Sequence, residues 1–471
     1  MNASRRRLPT IAICLSIASM AIAGCGSSTQ PEASAKSVEG WSQAHAGTTL
    51  NVIAEATANS GIIQDQLPDF EKKTGIKVKL EQAPYDSLVQ KAVLDFTTKK
   101  GAYDVLSIPY EYLGSFAENK YLREMDDFVA TPPAGVGDGY ASSDIVPGLW
   151  EASSKWKDHW YGAPSNSAVM MMLYRKDLLE SKAEQDAFQA KYGYTLAPAK
   201  TWAQYRDIAE FFTRDKGDQV DGKASSEPLF GAAMAGKRHV STVLEWMNYS
   251  WTYGGDLFDS SGKPALNSPA NVAALEYEKE LTDFAPPGYT SATWDEITAS
   301  LQQGSVAQSI TWGDTAGAME DQASSKVKGK VGYASIPTAK EGDTPEAHLG
   351  SWTYVVSANA RNAEASELFV AWALSKPVQL KLAKQGGLPA LTSAFEDATL
   401  KSELPYWEQE LISLNEAKSR PRIPQWSGIA DVLSLQLSRA LSGQASPQAA
   451  LDDGQDKLEQ LMDGALPVTY Q

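Results

Sequence analysis

From residue 48 onward, short apolar runs alternate with amphipathic stretches of helical period. Residues 50–54, 76–80 and 104–108 read as strands, and residues 62–74 and 84–99 as the helices between them, the first closed by Gly75. The segment 161–167 (YGAPSNS) breaks this rhythm before an apolar strand at 169–174, and marks a first crossing between two lobes. Thr201 and Gln204 form a capping box that starts a helix over 202–213. Residues 215–227 are polar and Gly-bearing, a surface loop. The segment after Gly236-Lys237-Arg238-His239 is a helix whose aromatics (Trp246, Tyr249, Trp251, Tyr253) read as core packing. Ser268-Pro269 caps a further helix, which Pro286-Pro287 stops. In 301–319 (LQQGSVAQSITWGDTAGAM) Gly304 ends a helix, an apolar strand spans 306–310, and the chain leaves it through Thr311-Trp312-Gly313-Asp314. Strands at 330–336 and 353–357, a helix at 363–374, a second crossing at 385–389, an extended proline-bearing run at 420–426 and helices at 429–441 and 447–462 complete the chain, with no tandem repeat.

Strands alternating with helices imply a parallel sheet covered on both faces, in which ligands sit beyond the carboxyl ends of the strands. Two loops leave such ends: 55–60, with Glu55 and Asn59, and 109–112, with Tyr110 and Glu111. For each loop taken alone, solvated turn residues are the plainer account. The strand end at Trp312-Gly313-Asp314 is equipped for a polyhydroxylated ligand. An indole covers the C–H face of a sugar ring, and a carboxylate accepts hydrogen bonds from its hydroxyls. A buried core tryptophan beside a turn aspartate is the plainer account of the same residues.

Residues 1–24 have the parts of an export signal: Arg5, Arg6 and Arg7, then a short apolar run over 11–23, then small residues before Cys25. The run is shorter than the roughly 18–20 residues that span a bilayer. The ending resembles a bacterial lipoprotein signal, with Cys25 as the lipidated residue and 26–47 as a flexible Ser/Ala/Gly/Gln-rich spacer. Cys14 and Cys25 are the two cysteines, so the body beyond Cys25 has no thiol or disulfide chemistry. The formal charge of −16 becomes −19 when the three signal arginines leave, which disfavours nucleic acid and anionic lipid surfaces. The remaining length exceeds one core and predicts two lobes. His45, His159, His239 and His348 are scattered, with no HExxH motif, no nucleophile elbow and no P-loop, so neither a metal nor a cofactor is expected. Glu111 and Asp314 could serve glycoside hydrolysis only if they face one another across a cleft.

The order of segments also resembles a family. LNVIAEAT, FEKKTGIKVKLE, YDVLSIPYEYLGSFAENKYLREMDDF, WYGAPSNSAVMMMLYRKDLLE, KTWAQYRDIA, YGGDLFDSSGKPALNSP, the run from FAPPGYT to QSITWGD, VKGKVGYASIP, HLGSWTYVVSANARNAEASELFVAWALSKPVQ and RPRIPQW are similar to the solute-binding proteins of bacterial ABC importers, in the maltose-binding-like carbohydrate branch and closest to its sugar and polyol binders. The resemblance implies a periplasmic-binding-protein-like α/β fold. One lobe would comprise 48–164 and 350–402, the other 165–349 and 403–471, with a ligand cleft between them and several hinge crossings. It implies a monomer, tethered through Cys25 to the outer face of the membrane, that captures a sugar, oligosaccharide or polyol and hands it to permease subunits. An extracytoplasmic carbohydrate-active enzyme or a non-sugar receptor is the alternative. By position in the family, Glu111 matches a sugar-binding carboxylate, while Ile108 replaces an aromatic. Trp312 and Asp314 match a W-x-D of polyol binders, with Trp352 opposite. Arg422 and Trp426 lie on a third crossing, Asn166 at the first hinge and His239 before its helix. Arg422 could equally pair with a surface acid.

Overall fold

The computed structural model of the protein describes residues 37–465, apart from 132, 134 and 138, together with residue 468. The export signal, Cys25 and the first part of the spacer lie outside the described residues. Order begins before residue 48: Ser37–Val38 pairs with Trp41–Ser42 in a short hairpin. Trp41 is the cause. A single indole in a polar stretch gives no hydrophobic period, yet it is 2% exposed and joins the main core.

One sheet has the order Lys77–Ala83, Thr49–Glu55, Val105–Pro109, Trp352–Val356, Ala163–Pro164. The second has the order Phe230–Ala233, Val306–Trp312, Met170–Arg175, Val331–Ala334. Both are mixed, whereas the alternation of strands and helices predicted parallel sheets. In the first, Trp352–Val356 runs antiparallel to its neighbours, and in the second Met170–Arg175 does. The reason is where these strands start. Trp352 pairs with Pro109, the last residue of its neighbour, and Met170 with Trp312, likewise a last residue. Each crossing strand therefore enters its sheet at the rim where the other strands end, and must run back from it.

Helix boundaries follow local chemistry. Ala58–Thr74 ends at Gly75 and Trp294–Gln303 at Gly304, both at φ 72° in the left-handed region where a residue without Cβ is at ease. Thr201 and Gln204 make the reciprocal capping box of Trp202–Phe212. Ser268 caps Pro269–Leu281 by accepting from the Asn271 amide, with proline at the first helical position. Val240–Thr252 is buried almost throughout, with Trp246 and Met247 at 0% exposure, so its aromatics are core. The polar loop 215–227 carries only a small exposed hairpin, Gln219–Val220 with Lys223–Ala224. The C-terminal helices are Trp426–Leu441 and Pro447–Leu461, packed on one another and on the second lobe. Among the described residues no helix is long and apolar enough to cross a membrane.

Candidate functional site

The strand ends of the two lobes deliver a mixed set of acids and aromatic rings. Glu55 closes Thr49–Glu55, and Trp352 opens its antiparallel strand on the same rim. From the second lobe, Val306–Trp312 runs two residues past the predicted end. Gly313–Met319 then starts a helix at once, so Trp312 sits at its N-cap and Asp314 in its first turn. Trp312 is half-buried. Its ring lies over Gly350, where a Cβ would come within 2.2 Å of it, and stands edge-on to His348 at 5.8 Å.

Three residues that sequence reasoning passed over complete this surface. Tyr85 opens the Tyr85–Thr98 helix of the first lobe, and Trp294 and Asp295 open Trp294–Gln303 in the second. The Tyr85 ring stands edge-on to Trp352 at 5.8 Å and to Trp294 at 6.0 Å, so the lobes meet through it. Beside it His239 caps Val240–Thr252, its Nδ1 accepting from the Ser241 amide at 3.1 Å. The His239 ring is 5.0 Å from Trp294, and its Nε2 is 4.0 Å from Asp86 of the first lobe. Burial holds the imidazole below its ordinary pKa, with the Asp86 charge acting the other way. The sequence signals the helix start here but not the ring's place: Thr293 and Glu296 form a capping box around Trp294.

The charges at this rim are negative. Glu55 is half-buried, and burial first, then the charges of Asp314, Asp295 and Glu111, push its carboxyl up to about 8. Asp314 is an exposed residue in the first turn of its helix. Desolvation raises its carboxyl, and Asp295 adds to the effect.

The other predicted residues sit behind this surface and are engaged within the protein. Glu111 is 0% exposed. One of its oxygens accepts from the Tyr85 hydroxyl at 2.9 Å and the other from Arg420 Nη2 at 2.5 Å. Arg420 is thus the arginine of the RPR run that pairs with Glu111. It also donates from Nη1 to His348 Nε2 at 2.7 Å, and its guanidinium lies 4.8 Å from the Tyr110 ring and 5.7 Å from that of Trp426. Since arginine has no acceptor, His348 must be neutral there, and burial with the Arg420 charge keeps its pKa well below the usual histidine range. Tyr110 is buried, its hydroxyl accepting from the Arg420 amide at 3.0 Å, and Trp426 is 2% exposed. Arg422 donates to the main-chain carbonyls of Glu151 and Lys155 at the end of the Pro147–Ser154 helix. Asn166 accepts from the Trp352 amide at 2.9 Å, while its carbonyl accepts from Ser351 Oγ at 2.8 Å. Asn59 gives Nδ2 to the Leu388 carbonyl at 3.1 Å and takes the Leu388 amide on Oδ1 at 2.9 Å, while the Ala390 carbonyl accepts from the Val146 amide and Leu391 bridges Ile145, so residues 385–389, expected as a second crossing, stay on the first lobe. Next to that clasp the backbones of Gly317 and Gly386 meet directly: a Cβ on Gly317 would lie 2.7 Å from the Gly386 carbonyl oxygen.

Beneath the Trp312-Gly313-Asp314 corner lies Glu410, on the helix Trp407–Asn415. It is 0% exposed, and neither carboxyl oxygen has a hydrogen-bond partner. A Cβ on Gly313 would lie 2.0 Å from its Oε2, which is why glycine stands at that position. On the surface of the first lobe, Glu124, Asp126 and His159 bring ligand-type atoms within 4.8 Å of one another, a grouping that positions so far apart in sequence concealed. There Asp126 is bonded to His159 Nδ1 at 2.7 Å and to the Trp160 amide at 2.7 Å, which fastens the Lys155–Trp156/His159–Trp160 hairpin.

Residues 49–380 match the family model described as bacterial extracellular solute-binding protein. A Sinorhizobium fredii protein described as a probable amino-acid ABC transporter periplasmic-binding protein is 25% identical over 420 residues, 89% of this chain and 90% of its own. A solute-binding protein of an ABC transporter from Agrobacterium radiobacter, solved in complex with ribitol, is 28% identical with a TM-score of 0.78, covering 88% of this chain and 99% of that one. Another from Agrobacterium vitis, with bound D-mannitol, is 26% identical with a TM-score of 0.75, covering 89% and 99%. With two lobes whose strand ends face one another across a polar, aromatic rim, and a family model matching most of its length, the chain belongs to the bacterial extracellular solute-binding proteins.

Proposed function

We propose that the protein captures a short carbohydrate, a monosaccharide or linear polyol, between its lobes and delivers it to the permease of an ABC importer. The observation that carries this reading is the convergence of Glu55 and Trp352 from one lobe with Trp312, Asp314 and Trp294 from the other. Indole faces take the C–H side of the ligand and the carboxylates take its hydroxyls. The ribitol- and mannitol-bound relatives support the class. The contacts from Tyr85 to Trp294 and from Asp86 to His239 wall off one side of the cleft, which favours a ligand of about one sugar unit over a long oligosaccharide. Lipid on Cys25 would hold a monomeric body at the outer face of the membrane.

A thermal-shift screen of the mature protein against polyols, mono-, di- and oligosaccharides tests this. Ligand at about 100 times its Kd adds roughly 2.7 kcal/mol to the folded state. A shift with a short carbohydrate that is recovered chemically unchanged is expected. No shift with any of them, or release of a reaction product, would overturn the proposal. Trp312→Ala should weaken that ligand by about tenfold or more, and a loss under about threefold (about 0.6 kcal/mol) would remove Trp312 from the site.

A further inference from the structure

Tyr85 is held more firmly than an ordinary ring at a cleft edge. Its hydroxyl donates to Glu111 Oε1 at 2.9 Å, and the other oxygen of Glu111 accepts from Arg420 at 2.5 Å. Glu111 and Arg420 are 0% and 3% exposed. Taking a carboxylate out of water is costly even when it is paired, and here the buried pair pins a half-buried ring at the cleft surface. The pinned ring stands edge-on to Trp352 at 5.8 Å and, from the second lobe, to Trp294 at 6.0 Å. Trp294 meets His239 at 5.0 Å, and His239 Nε2 faces back across to Asp86, the neighbour of Tyr85, at 4.0 Å. Because His239 Nδ1 accepts from the Ser241 amide, the proton of the neutral ring sits on Nε2, on the side of Asp86. Rings whose centroids are about 4.5–7 Å apart are in contact. A sugar ring therefore has no room between Tyr85 and Trp294, nor in the 4.0 Å between His239 and Asp86. A ring free to swing aside makes a soft boundary. One tied by its hydroxyl to a buried ion pair makes a fixed boundary.

We propose that Trp294 and Tyr85, the latter positioned by Glu111 and Arg420, set the length of ligand that the cleft accepts and exclude a second sugar unit. This rests on the carbohydrate reading above and deepens it by naming the residues that decide specificity.

Titration calorimetry with matched pairs, each a single unit against a two-unit compound that contains it, tests the inference: glucose against maltose, galactose against melibiose, sorbitol against maltitol, and mannitol against its glucosyl derivative. The parent should bind the shorter member of at least one pair about tenfold or more tighter than the longer. In Trp294→Ala and Tyr85→Ala the longer member should gain on the shorter, so that this ratio falls by about threefold or more. Tyr85→Phe keeps the ring but releases it from Glu111, and should move the ratio in the same direction by a smaller factor. The Thr293/Glu296 capping box does not use the Trp294 side chain, so Trp294→Ala still starts its helix. A general loss of structure would weaken both members alike and leave the ratio where it was. Loss of both members together, or a ratio within about threefold of the parent's in both alanine variants, would overturn the inference and leave the carbohydrate reading standing, as would a parent that binds the longer member as tightly as the shorter. An unchanged ratio in Tyr85→Phe would overturn the positioning role of Glu111 and Arg420. Binding by no member of any pair would overturn both the inference and the carbohydrate reading.

Discussion

The pair Glu111–Arg420 decides whether Glu111 is a ligand carboxylate or part of the frame, and the two alternatives differ in magnitude. Both side chains are out of water, at 0% and 3% exposure. Removing the arginine as Arg420→Met leaves a buried carboxylate without its countercharge, which costs about 3–5 kcal/mol. It also leaves His348 Nε2 without its donor. In the double variant Glu111→Gln/Arg420→Met the charge is gone, while the amide oxygen still accepts from the Tyr85 hydroxyl, so about 2 kcal/mol or more should return. Urea unfolding of the parent, both single variants and the double variant gives the cycle, with an unchanged m-value as the check that the same surface is exposed. If Arg420→Met costs less than about 1 kcal/mol, the pair is not the buried unit described above. Should Glu111→Gln instead keep full stability and lose the ligand, Glu111 is a direct binder and the frame assignment fails.

Three further outcomes follow from named contacts. Gly313→Ala places a methyl against the Glu410 carboxyl and should cost about 1–3 kcal/mol while weakening ligand by about tenfold, with Glu410→Ala restoring part of both; unaltered affinity in the single variant would contradict the close approach. Asn59→Ala removes both bonds to Leu388 and should cost about 1–3 kcal/mol in unfolding experiments, a cost that vanishes if the clasp is absent in solution. Glu245 is buried on the Val240–Thr252 helix, and desolvation raises its carboxyl from 4.5 to about 8. The folded state therefore keeps a proton that the unfolded chain releases, and this contribution is complete below about pH 4.5 and lost as pH rises towards 8. Glu245→Gln should accordingly gain on the parent in melting temperature between those limits, and parallel curves would show that Glu245 is ionised when folded.

Much of the frame was legible because its signals are local. Gly75, Gly304, the Thr201/Gln204 box and Ser268-Pro269 each state a helix end within a few residues. Strand direction was not legible, because Trp352–Val356 and Met170–Arg175 take theirs from the lobe they come from and not from their own composition. In the proposed site, Trp312 and Asp314 are candidates that can be read from a strand ending in an indole, a glycine and an acid. Tyr85 and Trp294 could not, since each looks like the first turn of an ordinary helix until the other lobe is brought against it. Arg420 and Arg422 are indistinguishable in sequence, flanking one proline; what separates them is an acid 309 positions away. Trp41 was hidden for a similar reason, being one apolar residue in a stretch too polar to show a period.

The meeting of Gly317 with Gly386 has a mechanical consequence. Where two packed surfaces interlock through side chains, any relative movement must first pull knobs out of holes. Bare main chain presents no such teeth. The helix that carries Asp314 therefore rests on residues 385–389 through bare main chain, a contact with no side chains to disengage. The Asn59 clasp alongside keeps residues 385–389 fixed to the first lobe. A single methyl on Gly317 would put a tooth on that contact, pressing on the Gly386 carbonyl.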